Sequence, residues 1–285
     1  MTPDLDARAV ELLLPLVASW TGFHPDAIRR DALRRVARPL LGAMGRDELL
    51  ARARDREPSV VHALEEGVAV GETYFFRQPE HFQHLAAVAA ARAAAGAPAF
   101  RAWSAGCATG EEAYSIAATL DGAAGGAMRA EVLGTDLLQR NVRFAGAGAY
   151  GPWSFRERCP LLHPVSEGPW RFPGHGEVVE VSRRLRSLTA FSLANLLDPQ
   201  PRLGEPFDAI FCRNVLVYFS ADAARAALSS LVAALAPQGL LYLGPMDSSA
   251  LPPGMVEAGP AGLNVYALEP PRSRPAAPSR RPGAG

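Results

Sequence analysis

From residue 99 onward the chain alternates short apolar runs with helix-length stretches, and that rhythm limits its fold more than any other feature. The runs are "AFRAWSAG", "AEVLGTD", "LTAFSLANLL", "FDAIFCRNVLVYF" and "GLLYLGP". Strand-length runs separated by helices pair in parallel, giving an α/β sheet with helices over it. Such a sheet binds ligands beyond the carboxyl ends of its strands. Residues 5 to about 68 follow another pattern, with "LDARAVELLLPLVASW", "HPDAIRRDALRRVARPLL", "GRDELLARARD" and "PSVVHALEEGV" reading as short helices. Pro25 and Pro58 stand where first-turn prolines belong, and Gly22 and Gly42 stand where helices stop. We therefore expect a helical unit over 1–70, a linker over 71–98 and an α/β domain over 99–269. An insert rich in Pro, Gly, Trp and Arg interrupts that domain at about 150–190, where a small hairpin subdomain fits, and a disordered Pro/Arg-rich tail follows over 270–285.

The chain has 285 residues, 48% of them apolar and 20% charged, so a sizeable core is expected. Its formal net charge is zero and all its Lys+Arg residues are arginine, so the overall balance exerts no long-range pull on nucleic acid. Cys107, Cys159 and Cys212 lie far apart with no CxxC spacing, which argues against a disulfide framework and a zinc site. No apolar run approaches the ~20 residues of a membrane span. The first residues are acidic where a signal peptide is basic. We expect a cytoplasmic monomer without membrane insertion or bound metal.

"AWSAGCATGEEAYSIA" reads as a strand, a small-residue turn through Gly106 and Gly110, and a helix whose first amides favour an anionic group. A glycine turn in any βα unit is also simply a turn. Asp136 ends the next strand, where a carboxylate accepts hydrogen bonds from ribose hydroxyls; capping the following helix is the other reading. The spacing from the glycines to Asp136 exceeds the usual ~20 residues, which calls for a longer crossover. Asn195, Arg213 and Asn214 follow further apolar runs and point to the same cleft. In "GETYFFRQPEHF", Arg77 follows Tyr74, Phe75 and Phe76, and a cation beside so much ring surface calls for a carboxylate or phosphate partner.

Taken in order, "ETYFFRQPEHF", "WSAGCATGEEAYSIA", "GTD", "NLLDP", "FDAIFCRNVLVYF" and "GLLYLG" make the chain resemble the CheR-type chemotaxis receptor methyltransferases over roughly residues 10–268. The resemblance implies a Rossmann-like S-adenosylmethionine-dependent methyltransferase domain, a small all-α N-terminal domain and a short inserted β-subdomain. It implies methyl transfer to glutamate side chains on chemoreceptor signalling helices, leaving S-adenosylhomocysteine as product. By the same resemblance Thr73 and Arg77 belong to a linker over the cofactor, and Glu111 and Glu112 form an acidic pair of which one contacts it. Asp136 is the ribose carboxylate, Asn195 and Leu196 form the adenine-side loop, and Arg213 and Asn214 make strand-end contacts. Tyr218 matches the tyrosine near the transferred methyl group.

A glutamate substrate is already ionised at neutral pH and needs positioning rather than a base. Arg77 and Tyr218 are the candidates to orient it, with the Tyr74–Phe76 run excluding water. Arg30, Arg34 and Arg38 step by four along one helix face; such a run is a solvated face, or, as the resemblance implies, a contact for the acidic methylation region of the receptor. Gly71 stands where many members have asparagine, and "GPMDSS" stands where they have Gly-His-Ser-Glu. A signalling scaffold that binds the cofactor without turnover, and a methyltransferase for small molecules or nucleic acid, are the other readings. Retention of Arg77 and Tyr218 counts against the first, and the absence of a DPPY-like tetrapeptide against the second.

Overall fold

A computed structural model describes residues 3–68, 71–156, 165–166, 173–198, 205–248 and 251–269. The N-terminal unit contains α1 (Pro3–Thr21), α2 (Arg30–Met44), α3 (Arg46–Arg54) and α4 (Pro58–Glu65), with a single 3-10 turn at Pro25–Ala27 before α2. Pro25 and Pro58 take the expected first-turn places, and Gly22 follows α1 with φ of 77°. Gly42 does not stop α2. The helix runs on past it to Met44, and Gly45, with φ of 79°, closes it with an N–H bond to Leu41 O. A helix interior tolerates one glycine at a cost of about 1 kcal/mol, and packing of α2 outweighs that. Leu13, Val17, Leu33, Leu49, Leu50 and Leu64 form the bundle's own core.

The linker leads into α5 (Pro79–Ala94). There follow β1 (Ala99–Ala105), α6 (Glu111–Ala124), β2 (Arg129–Asp136), α7 (Gln139–Ala147), β3 (Ala149–Tyr150), β4 (Val179–Glu180), α8 (Arg183–Leu188), β5 (Thr189–Leu193), β6 (Phe207–Cys212), α9 (Ala221–Ala233), β7 (Leu235–Leu243), β8 (Met255–Glu257) and β9 (Val265–Leu268). The main sheet has the order β5-β2-β1-β6-β7-β9-β8. Its first five strands are parallel, and β9 and β8 close the edge antiparallel. All five expected runs contain strands, but the run from Phe207 leaves the sheet at Cys212, and Leu216–Tyr218 forms a 3-10 turn. Period-2 alternation divides β6 between two cores: Ala209 and Phe211 pack with α5 and α6, while Ile210 and Cys212 pack with α9.

In the insert, β3 and β4 pair antiparallel and Ser166 bridges Val181. Residues 157–164 and 167–172, and the tail from 270, lie outside the described residues, and with them Cys159 and the expectation of disorder. Among the described residues no helix is long and apolar enough to cross a membrane. The sheet runs outward from β1 to β2 and β5 on one side and from β6 to β7 on the other. That reversal opens a crevice at the carboxyl ends of β1 and β6.

Candidate active site

A cleft with about 870 Å3 of atom-free space, continuous with solvent, occupies this crevice. Two glycines shape the turn after β1, and Gly106 lines the cleft. Gly106 and Gly110 have φ of 77° and 97°, and a Cβ on them would lie 2.6 Å from Val215 and from Ala145. The amides of the turn itself, unlike the helix-start amides of the expectation, are taken up within the protein. Gly106 and Cys107 donate to Thr135 O, Gly110 donates to Cys107 O, and Ala108 donates to Asp136 Oδ2. The turn therefore contributes close approach rather than these donors.

Asp136 is not the cap of the next helix, a place that Leu138 takes. Its Oδ1 accepts from Leu138 N and Asn141 Nδ2, and its Oδ2 from Ala108 N, all at 2.9 Å. Three of about four carboxylate acceptor positions are thus filled, and the side chain lines the cleft with capacity for one more donor. Burial raises its pKa, and the three donors oppose that shift.

Glu112 also lines the cleft, receiving the Ser104 hydroxyl at 2.7 Å on one oxygen and Arg213 Nε at 2.7 Å on the other. Arg213 does more than the strand-end contact expected of it. Its Nη1 donates to Arg77 O at 2.7 Å, to Gln78 Oε1 at 3.3 Å and to His81 Nδ1 at 2.9 Å. The guanidinium therefore fastens the linker, whose Phe76 and Gln78 both have positive φ, to the end of β6. Burial, with Arg213 adding to it, lowers the His81 pKa to about 4. The neutral ring accepts at Nδ1, so Nε2 carries the proton and donates to Leu263 O.

Arg77 and Tyr218 line the same cleft as Glu112, Asp136 and Thr73. Arg77 lies 5.8 Å above the Tyr74 ring and donates to Glu72 O at 3.0 Å. Phe75 and Phe76 do not wall the cleft. Both are fully buried, Phe75 stacked on Phe155 at 4.7 Å and Phe76 edge-on to Phe82, so they root the linker in the core. The apolar wall comes instead from Phe23 and Phe219, with ring centroids 5.4 Å apart. Phe23 reaches the cleft because the segment after α1 pairs with the loop after β6: His24 N donates to Tyr218 O, and Ser220 N to Gly22 O, each at 2.8 Å.

Glu111 does not face this cleft. Its carboxylate, with its pKa raised by burial, accepts from Thr109 Oγ1 and Ser154 Oγ beside a second hollow that shares Gly71, Glu72 and Thr73. Consecutive helix positions diverge by about 100°, so only one of the acidic pair points inward. The Asn195 side chain binds Trp20 O and Leu197 N, tying the loop after β5 to α1, and both Asn195 and Leu196 line the cleft. Arg30, Arg34 and Arg38 are exposed on α2, and Arg30 pairs with Glu11 of α1 at 2.9 Å. Among residues not anticipated, Phe23 and Asn141 carry no local motif, and their roles depend on partners from other elements.

The cleft fits a ligand with hydroxyl and ammonium donors. Glu112 and Asp136 offer carboxylate acceptors, and Asn214 Oδ1 is buried without a hydrogen-bond partner among the described residues while its residue lines the cleft with φ of 58°. A family model described as CheR methyltransferase, SAM binding domain, matches residues 71–255. The probable biofilm formation methyltransferase WspC of Pseudomonas aeruginosa is 34% identical over 247 residues, covering 83% of this chain and 56% of the relative. The chemotaxis protein methyltransferase of Salmonella typhimurium is 36% identical over 202 residues, covering 69% and 66%. Chemotaxis protein methyltransferase 2 of P. aeruginosa is 35% identical over 196 residues, covering 67% and 68%. The chain spans about half the length of the WspC relatives it matches.

Proposed function

We propose, because the chain belongs to the CheR methyltransferase family, that it transfers the methyl group of S-adenosylmethionine to glutamate carboxylates of chemoreceptors and so adapts a chemotaxis-type pathway. The observation that carries this reading is that Arg77 and Tyr218 line one cleft with Glu112, Asp136 and Asn214. A group able to hold a substrate carboxylate is thus joined to groups able to hold the cofactor.

S-adenosylmethionine, when bound, supplies an electrophilic methyl on a sulfonium. Asp136 would accept from its ribose hydroxyls, and Glu112 and Asn214 Oδ1 would accept from its amino group. Arg77 would pair with the incoming carboxylate and Tyr218 would donate a hydrogen bond to it, so that the two orient it for transfer. A carboxylate held there, already ionised, would need no general base to accept the methyl group. Phe23 and Phe219 keep water from the meeting of anion and cation. Arg34 and Arg38, exposed on α2, present a basic face to an acidic receptor helix, while Arg30 is braced by Glu11.

The test is calorimetric titration with S-adenosylhomocysteine, then transfer of labelled methyl to receptor-containing membranes with alkaline release of the label. Base-labile label abolished by Arg77→Ala is the expected result. Cofactor binding without transfer to any receptor would remove the glutamate assignment.

A further inference from the structure

The sequence "GPMDSS" after β7 contains an acidic residue that the roles above leave unused. Asp247 is 2% exposed, and burial raises its pKa. Its described partners are all backbone amides. Oδ2 accepts from Asn214 N and from Gly244 N, and Oδ1 accepts from Val217 N at 3.0 Å. Two of these donors belong to the loop after β6, which carries Asn214 and Tyr218 to the cleft. A buried carboxylate that binds N–H groups forms strong charge-assisted bonds, and here they bridge two loops that covalent connection leaves about thirty residues apart.

The surroundings are shaped for this contact. Asn214 holds φ of 58°, a left-handed conformation that asparagine tolerates better than other non-glycine residues, and its N–H is bound by Asp247 there. A Cβ at Gly244 would lie 2.5 Å from Asp247 Oδ2 and 2.9 Å from Asn214 N, so position 244 must be bare for the carboxylate to reach the loop. From the opposite side, the segment after α1 binds Tyr218 O and Ser220 N. The loop is gripped at both ends.

We infer that Asp247 is a positioning residue for methyl transfer: it fixes the left-handed Asn214 and the turn that presents Tyr218, and it touches neither substrate nor cofactor itself. The turnover arm of the test rests on the proposed reaction; the exchange and binding arms do not. Asp247→Ala is compared with Asp208→Asn, which weakens a contact to Arg92 and to the Arg101 amide at the other end of β6. In Asp247→Ala, amide exchange rises across residues 213–219, S-adenosylhomocysteine binds more weakly, and kcat falls about 10- to 100-fold with receptor KM nearly unchanged, as a displacement near 1 Å would produce. Adding Tyr218→Phe to that variant costs much less than it does in the parent, because both changes disable one device. Asp208→Asn leaves all four readouts near the parent's.

If Asp247→Ala does not fold, Gly244→Ala displaces the carboxylate without removing it and is expected to give the same pattern. Unchanged exchange at 213–219 overturns the inference, as does raised exchange with turnover no lower than in Asp208→Asn. If the parent transfers no methyl to any receptor, the proposed reaction fails while the inference is still decided by exchange and binding together. In that case unchanged S-adenosylhomocysteine affinity in Asp247→Ala overturns it.

Discussion

Arg213 Nε and Glu112 Oε2 meet at 2.7 Å with side chains 2% and 11% exposed, joining the end of β6 to the first turn of α6 in the lining of the cleft. A largely buried ion pair is costly to break from one side, since the survivor stays buried and uncompensated, at about 3–5 kcal/mol. Glu112→Ala is therefore expected to lower the urea unfolding free energy by about that amount. Replacing both partners, with Met at 213, should cost less than the sum of the single changes. A single-variant loss under about 1 kcal/mol would show that the pair is open to water.

His81 extends this network and gives it a pH dependence. Its folded pKa, about 4, lies below the ordinary value of 6.5. Between those values the unfolded chain takes up a proton that the folded protein refuses, so stability is complete above 6.5 and falls as pH drops towards 4. The groups facing the ring are Arg213, Glu112, Glu80 and Leu263 O, and of these Arg213 opposes a second cation most directly. Unfolding titrations from pH 8 to pH 4 should show the parent losing stability relative to His81→Gln over that window. Parallel curves for the two proteins would refute the shift.

The parts of this architecture that depend on local pattern were legible beforehand, and those that depend on distant partners were not. Strand-length apolar runs placed β1, β2, β5, β6 and β7, and the polar residues after them marked the cleft, because ligand sites in such sheets lie beyond strand ends. The aromatic run suggested a wall around Arg77, yet Phe75 and Phe76 face Phe155 and Phe82 in the core. Composition cannot say which side of a linker faces inward. Arg213 was visible as a strand-end residue, but its partners Arg77 O and His81 lie 136 and 132 residues earlier. Phe23 had no signal, since only the bridge to Phe219 brings it to the site.

That bridge makes the helical unit part of the cleft. The Phe23 ring lies 6.1 Å from Tyr218 and 5.4 Å from Phe219, and aromatic contacts of this kind contribute about 0.5–1.5 kcal/mol beyond burial. Phe23→Ala should lower kcat about 10-fold by loosening Tyr218 and admitting water, with the fold retained. Phe23→Leu, which keeps apolar bulk, should recover part of the loss. Equal kcat in all three proteins would mean that the helical unit contributes no wall to the reaction.

Gly71 offers the converse experiment, a gain. It lines the cleft, its φ is outside the left-handed region, and an added Cβ would meet Asn141 Nδ2 at 3.5 Å and Ala108 Cβ at 3.6 Å, ordinary contact distances. An asparagine is therefore accommodated without strain. Its amide adds a donor and an acceptor beside Asp136 and Asn141, and one net hydrogen bond is worth about 1 kcal/mol, or roughly five-fold in affinity. Gly71→Asn should tighten S-adenosylhomocysteine binding by about that factor in calorimetry, with a more favourable enthalpy, and leave the unfolding midpoint nearly unchanged. Weaker binding with a preserved midpoint would mean that the bare backbone at 71 is itself what the bound cofactor needs.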